Sequence, residues 1–189
     1  MTSSRPKLDP RKQRTRDELL AAFFKLVLSR RYSEIRIADI LSASGVGRST
    51  FYEHFASKDE LLSASIAGPF SILAGMVGSE SSTGQVEGLL VHFWENRALA
   101  RGLFQGAAYR AIRRRLIDCI ESRLEDCAAN KLRIPRRLVA LSLADGIFSP
   151  IVGWLLGEAS CEAGDLAVAL QGSTTASVES FLVHARGAR

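Results

Sequence analysis

No proline interrupts the chain between Pro10 and Pro69, and apolar residues recur there at helical spacing. Proline removes a backbone donor and clashes with the preceding turn, so its absence leaves helix as the default for a segment rich in Leu and Ala. From Thr15 to Arg30 the residues Leu20, Phe23, Phe24, Val27 and Leu28 fall on one helical stripe, with Asp17 and Glu18 in the first turn, where the dipole favours negative charge. Tyr32 to Ile35 breaks the pattern. A short second helix follows at about Ile37 to Ser44, buried through Ile37, Ile40 and Leu41, with Gly45 as its left-handed cap. Only Val46 and Gly47 separate it from a third helix at about Arg48 to Phe55, which turns Phe51 and Phe55 inward and leaves Arg48, Ser49 and Tyr52 outward. Helices this short, with glycine in the turn between the last two, describe a helix-turn-helix unit.

Charge is concentrated in the same third of the chain. Residues 1–58 hold 12 Lys or Arg against 6 Asp or Glu, whereas residues 59–189 hold 13 against 14. Arg5, Lys7, Arg11, Lys12, Arg14 and Arg16 precede the first apolar run with only Asp9 opposing them. This is the pattern of a flexible basic arm, read here as residues 1–13, that gains by releasing counterions from a polyanion; a solvated tail has the same composition.

The segment from Thr15 to Leu62 resembles the N-terminal domain of the TetR/AcrR family of bacterial transcriptional regulators. The resemblance rests on Ala38-Asp39-Ile40, Ala43, Gly45-Val46, Thr50-Phe51-Tyr52, His54-Phe55 and Ser57-Lys58-Asp59-Glu60-Leu61-Leu62 following an apolar first helix. It implies an all-α chain: a three-helix DNA-binding domain over residues 14–60, then a larger helical domain over 61–189 that binds an effector and dimerises. It further implies a homodimer on a palindromic double-stranded operator, because two-fold symmetry in the protein matches two-fold symmetry in the DNA. The chain departs from the family at Gly47, where Ser usually caps the third helix, at Ser49, where Gly is common, and at Arg36, where Thr or Ser often meets phosphate.

On this reading Arg48 is the leading base reader, since its guanidinium can donate two bonds to guanine. Ser49 and Thr50 suit bases or phosphate, Tyr52 and His54 reach the flanking backbone, Gly47 lies on the same surface, and Arg36 offers a charged phosphate contact. Lys58 resembles the family's phosphate anchor. The Tyr52 ring could instead close the small core, and His54 could be a surface or capping residue.

Beyond Lys58 the sequence predicts a long fourth helix to about Val77, interrupted at Gly68-Pro69, then helices at roughly Gln85–Glu95, Ala98–Phe104, Ala107–Ala129, Pro135–Gly157 and Ala163–His184. Phe70, Phe93, Phe104, Tyr109 and Phe148, with Asp145 the one acid in an apolar run, are candidates for an effector pocket that would suit a small hydrophobic or aromatic molecule; ordinary core is the competing reading. Leu141, Ile151, Trp154, Leu155, Leu170, Ser173 and Ser177 are candidates for the dimer interface. Arg110, Arg113, Arg114 and Arg115 look like a second basic patch, but Asp118 and Glu121 on the same helix offer pairing and favour a solvated face.

Other classes find less support. The uncharged stretch from Leu61 to Ser79 carries Ser63, Ser65, Gly68, Pro69, Ser71, Gly75 and Gly78, and its large apolar residues gather on one side, which argues against a membrane span. Asp17 and Glu18 follow the basic residues where a signal peptide would continue apolar, and three cysteines are too few for a disulfide frame, so a cytoplasmic protein is expected. No GxSxG, P-loop, HExxH or CxxC occurs, and His54, His92 and His184 lie in unrelated segments, so neither an enzyme nor a metal or other cofactor is expected. The rival class is a helical protein-binding adaptor without operator binding. The expected function is a ligand-responsive regulator, a repressor released by its effector.

Overall fold

The computed structural model describes residues 9–104, 108–126 and 132–183, and within helices the side chains of Leu28, Ser29, Leu99 and Asp126 lie outside the description. Arg5, Lys7 and His184 are likewise outside the described residues. The contacts divide the chain into two units, residues 1–65 and 66–189. Among the described residues the architecture is all-helical, apart from an isolated bridge between Leu132 and Leu182.

In the first unit α1 spans Pro10–Ser29, α2 Ile37–Ser44, α3 Arg48–His54 and α4 Lys58–Ser65, with a 3-10 turn at Tyr32–Glu34. Helix α1 starts five residues earlier than the apolar stripe announces. Asp9 caps it by accepting from the Arg11 amide at 2.9 Å, and Pro10 sits at the first helical position, where no amide donor is needed. Arg11 and Lys12, read as part of the arm, are therefore helical. The buried face of α1 is Leu19, Ala22, Phe23 and Val27, while Phe24 is 49% exposed. Phe24 lies a full 100° step around the helix from Phe23, so both cannot point at a core on one side.

Helix α1 packs on α2 and α4. The small core between them is Leu19, Phe23, Ile35, Ile40, Phe51, Phe55, Leu61 and Leu62, each at most 1% exposed. Helices of seven or eight residues do not persist alone in water, so this shared core is what makes α2, α3 and α4 helical.

The second unit contains α5 Ala67–Gly75, α6 Thr83–Glu95, α7 Arg97–Phe104, α8 Ala108–Asp126, α9 Arg136–Leu156 and α10 Ala163–Phe181. The interruption expected in the helix to Val77 is a full break into two helices, and it falls at Ile66, not at Gly68-Pro69. Breaking there puts Pro69 in the first turn of α5, where its missing donor has no intrahelical partner to lose; the first amide bond back to Ile66 comes from Phe70 at 3.1 Å. Helix α6 begins before Gln85 because Ser82 and Gln85 cap reciprocally: the Ser82 amide donates to Gln85 Oε1 at 2.9 Å and the Gln85 amide donates to Ser82 Oγ at 3.3 Å.

Helix α9 is the spine of this unit, packing on α8, α10, α7 and α6. Its 21 residues are long and apolar enough to cross a membrane by composition, but Val139, Ala140, Leu143, Ala144, Ile147, Phe148, Ile151, Trp154 and Leu155 are buried among neighbouring helices. Gly75 permits a close approach, since a Cβ there would lie 2.2 Å from Ser81 Oγ, itself donating to the Ile72 carbonyl at 2.9 Å.

The turn before α3 depends on Gly45, which ends α2 at φ 70° and donates its amide to the Leu41 carbonyl at 2.9 Å. An added Cβ would meet nothing within 4 Å, so the obstacle to substitution is conformational. Gly45→Ala is expected to destabilise the first unit by about 1 kcal/mol, with Gly45→Asn costing less, because Asn tolerates the left-handed region better. Urea denaturation of the two variants beside the parent checks this; equal stability of all three would contradict it.

Candidate nucleic-acid interface

Helix α3 is built so that its two sides do different work. Phe51 and Phe55 lie in the core, with ring centroids 6.1 Å apart, and their burial fixes the rotation of the helix. That rotation leaves Gly47, Arg48 and Ser49 exposed at the N-terminal end, with Thr50 half-buried behind them. Tyr52 is 47% exposed and only rests its edge against Phe51, at 5.3 Å between centroids, so its ring does not close the core. His54 is half-buried beside Phe55 at the helix end. Gly47 occupies the cap position with extended backbone and no side-chain cap bond, which leaves the first amides of α3 open toward the same surface as Arg48.

Arg36 caps α2 from an exposed position. Its amide donates to Asp39 Oδ2 at 2.8 Å, and Asp39 Oδ1 lies 3.5 Å from the Arg30 guanidinium. The sequence puts Arg36 at the start of α2; the structure adds that its backbone is tied down while its guanidinium makes no ion pair or hydrogen bond among the described residues.

Lys58 differs from its sequence expectation. Its ammonium turns inward, donating to the carbonyls of Tyr32 at 2.8 Å and Ile35 at 2.7 Å, and sits 4.1 Å from the Tyr32 ring centroid. The Tyr32 hydroxyl donates in turn to Asp59. Sequence reasoning passed over Tyr32 and Asp59, because the contact spans 27 positions and no local pattern announces it. A second cation, Arg16, stacks over the Phe55 ring at 4.6 Å, holding one of the basic residues of α1 against the body of the unit.

Burial, then the bond to Asp59, then the Asp59 charge push the Tyr32 phenol well above its ordinary range. A phenol that binds its proton more tightly in the folded state contributes stability that is present below the unfolded value of about 10 and is lost as pH rises above it. Lys58 is pulled below the usual lysine range by burial, with Asp59 opposing.

The effector candidates in the second unit divide. Phe148 lies 5.7 Å from Phe70, 5.6 Å from Phe104 and 6.2 Å from Tyr109, and Phe93 lies 6.1 Å from Phe104, all between ring centroids, so the five aromatics form one cluster. Asp145 is not part of it. Its exposed carboxylate takes two 2.6 Å bonds from Arg113 on α8 and is turned away from the ring cluster by that pairing. Asp118 and Glu121 both pair with Arg137, on α9, and among the described residues not with the arginines of their own helix.

The interface candidates need correction too. Ile151, Trp154, Leu155 and Leu170 are at most 6% exposed within a single chain, so they belong to its own core. Leu141 and Ser177 are half-buried and Ser173 is exposed; the open apolar positions on these helices include Leu138, Pro150, Val168, Ala169 and Ala176. Among the described residues no cluster of His, Cys, Asp or Glu has the make-up of a metal site.

Replacing Tyr32 by Phe keeps the ring under Lys58 and removes the bond to Asp59. This variant is expected to lose about 1 kcal/mol near pH 8 and to show a weaker loss of stability than the parent between about pH 8 and pH 11. Denaturation at the two pH values measures both; a variant as alkali-sensitive as the parent would contradict the assignment.

Residues 19–65 match the family model described as bacterial regulatory proteins, tetR family. An uncharacterized HTH-type transcriptional regulator, YxbF of Bacillus subtilis (strain 168), is 42% identical over 60 residues, a segment that spans 31% of this chain and 16% of that relative. The fold is similar to that of a TetR transcriptional regulator from Streptococcus agalactiae 2603V, with a TM-score of 0.54, 24% identity, and 87% of this chain and 96% of the other covered. It is also similar to native NalD of Pseudomonas aeruginosa, the secondary repressor of the MexAB-OprM multidrug efflux pump, with a TM-score of 0.54, 19% identity, and 92% and 98% covered. Residues 19–65 are thus similar to the tetR family of bacterial regulatory proteins, and the chain has the all-helical fold of these solved regulators.

Proposed function

We propose that the protein is a cytoplasmic, ligand-responsive transcriptional repressor that binds a palindromic operator as a homodimer and leaves it when a small hydrophobic effector binds. The observation that carries the DNA-binding part is the division of α3 into a buried aromatic side and an exposed end bearing Arg48 and Ser49. A helix fits the major groove of B-DNA with its N-terminal side chains toward base edges, and an Arg there can pair with guanine O6 and N7. Ser49, Thr50 and Tyr52 supply shorter contacts, His54 the flanking backbone, the open amides after Gly47 and the Arg36 guanidinium the phosphates.

The effector part is supported by the aromatic cluster around Phe148, whose chemistry suits a flat apolar molecule entering between α5, α7, α8 and α9. The dimer part is supported by the outer side of α10, where Val168 is 62% exposed and Gly172, Ser173 and Ala176 leave a low surface on which a second helix can approach closely. Removing the Arg48 side chain is expected to weaken binding to a duplex selected by the parent protein by about 1 to 3 kcal/mol and to relax preference at one base position per half-site. Competition binding against duplexes varied one position at a time reads both quantities; uniform weakening with base preference intact would remove Arg48 as a base reader.

A further inference from the structure

Lys58 is a cation at the head of α4 with its charge turned into the protein. Its Nζ reaches two carbonyls, Tyr32 O and Ile35 O, at 2.8 and 2.7 Å, with the Tyr32 ring 4.1 Å away. The Ile35 carbonyl belongs to the peptide that leads into Arg36. The other polar atom of that peptide, the Arg36 amide, donates to Asp39 Oδ2 at 2.8 Å. Both hydrogen-bonding atoms of one peptide are therefore held, one from α4 and one from α2, and the Ile35 side chain on its near side is 1% exposed. A peptide fixed at both atoms and anchored by a buried side chain has one orientation, and the exposed Arg36 side chain departs from it in one direction.

Among the described residues the Arg36 guanidinium makes no ion pair or hydrogen bond. It stands at the start of the helix that, in a helix-turn-helix, crosses the DNA backbone while the next one enters the groove. We propose that Lys58 is a positioning residue for DNA binding: by holding the Ile35–Arg36 peptide through the Ile35 carbonyl, it aims Arg36 at a phosphate and does not contact phosphate itself. The inference rests on the DNA-binding reading above and adds to it a division of labour between two cations. Without Lys58 the Ile35 carbonyl loses its partner, the peptide is free to rotate, and Arg36 must give up conformational freedom on binding that the parent has already lost.

A double-mutant cycle on the full chain tests this with a duplex that the parent protein enriches from a random-sequence pool. Lys58→Met and Arg36→Ala are each expected to weaken binding by about tenfold, and the double variant to be no more than about twofold weaker than Arg36→Ala alone. The salt dependence of the double variant should equal that of Arg36→Ala. Lys58→Arg should fail to restore binding, because a guanidinium is larger and planar and does not fit the place the compact ammonium holds between the two carbonyls and the Tyr32 ring. Losses that multiply, a salt slope that falls by about one further charge in the double variant, or full rescue by Lys58→Arg would each overturn the proposal in favour of a direct phosphate contact. Should Lys58→Met not fold, Lys58→Arg carries the test with a second readout, hydrogen exchange at the Arg36 amide, which is expected to quicken in the free protein; unchanged exchange would count against the proposal. A parent protein that enriches no duplex would remove the DNA-binding reading and this inference together, whereas enrichment with multiplying losses removes the inference alone.

Discussion

The ammonium of Lys58, set against the Tyr32 and Ile35 carbonyls and over the Tyr32 ring, is the directional contact that ties α4 to the turn before α2. Helix α3 has seven residues and α2 and α4 eight each, lengths at which nucleation outweighs propagation. Their order must come from outside each helix. Apolar burial of Phe23, Ile40, Phe51 and Leu61 supplies most of it, but apolar contact is non-directional and does not by itself set the angle at which α4 meets the turn before α2. Charged hydrogen bonds to two named carbonyls do set it, since they are short and directional. Tyr32 takes part twice, as the ring beneath the cation and as a donor to Asp59 on the same helix as Lys58.

From that constraint the exposed surface follows. With α2 and α4 fixed, Phe51 and Phe55 have one place to go, and the side of α3 that carries Arg48 and Ser49 is what remains. What this surface exposes is a consequence of burial on the other. The second unit obeys a different logic. Its long α9 buries nine residues, so its sequence serves packing along much of its length, and its open positions include the polar or small Ser142, Asp145, Gly146 and Ser149 beside the apolar Leu138 and Pro150.

That contrast explains what was legible in the sequence. Residues 37–55 read clearly because a half-exposed helix separates apolar from polar positions, and Gly45 marks a turn that only a left-handed residue makes well. The start of α1 carried a readable signal too, Asp9 before Pro10, which the apolar stripe overshadowed. In α9 and α10 the periodicity fails as a guide: an apolar position looks the same whichever surface covers it, so residues facing the protein's own core, such as Ile151 and Leu155, could not be told from residues facing a partner. The intramolecular partners of Lys58 were hidden for another reason. Its spacing resembles a phosphate anchor, but the acceptors that claim it lie 23 and 26 positions away, and pairings at that distance are invisible to local pattern.

The central claim is that α3 meets DNA through its N-terminal end while the turn before α2 meets phosphate. Amide chemical-shift mapping of the isotope-labelled full chain, titrated with a duplex the protein itself selects, tests this most directly. The account predicts the largest changes at Arg36, Gly47, Arg48, Ser49, Thr50 and Tyr52, with core amides such as Phe51 moving little. Changes absent from α3, or confined to residues 66–189, would contradict it.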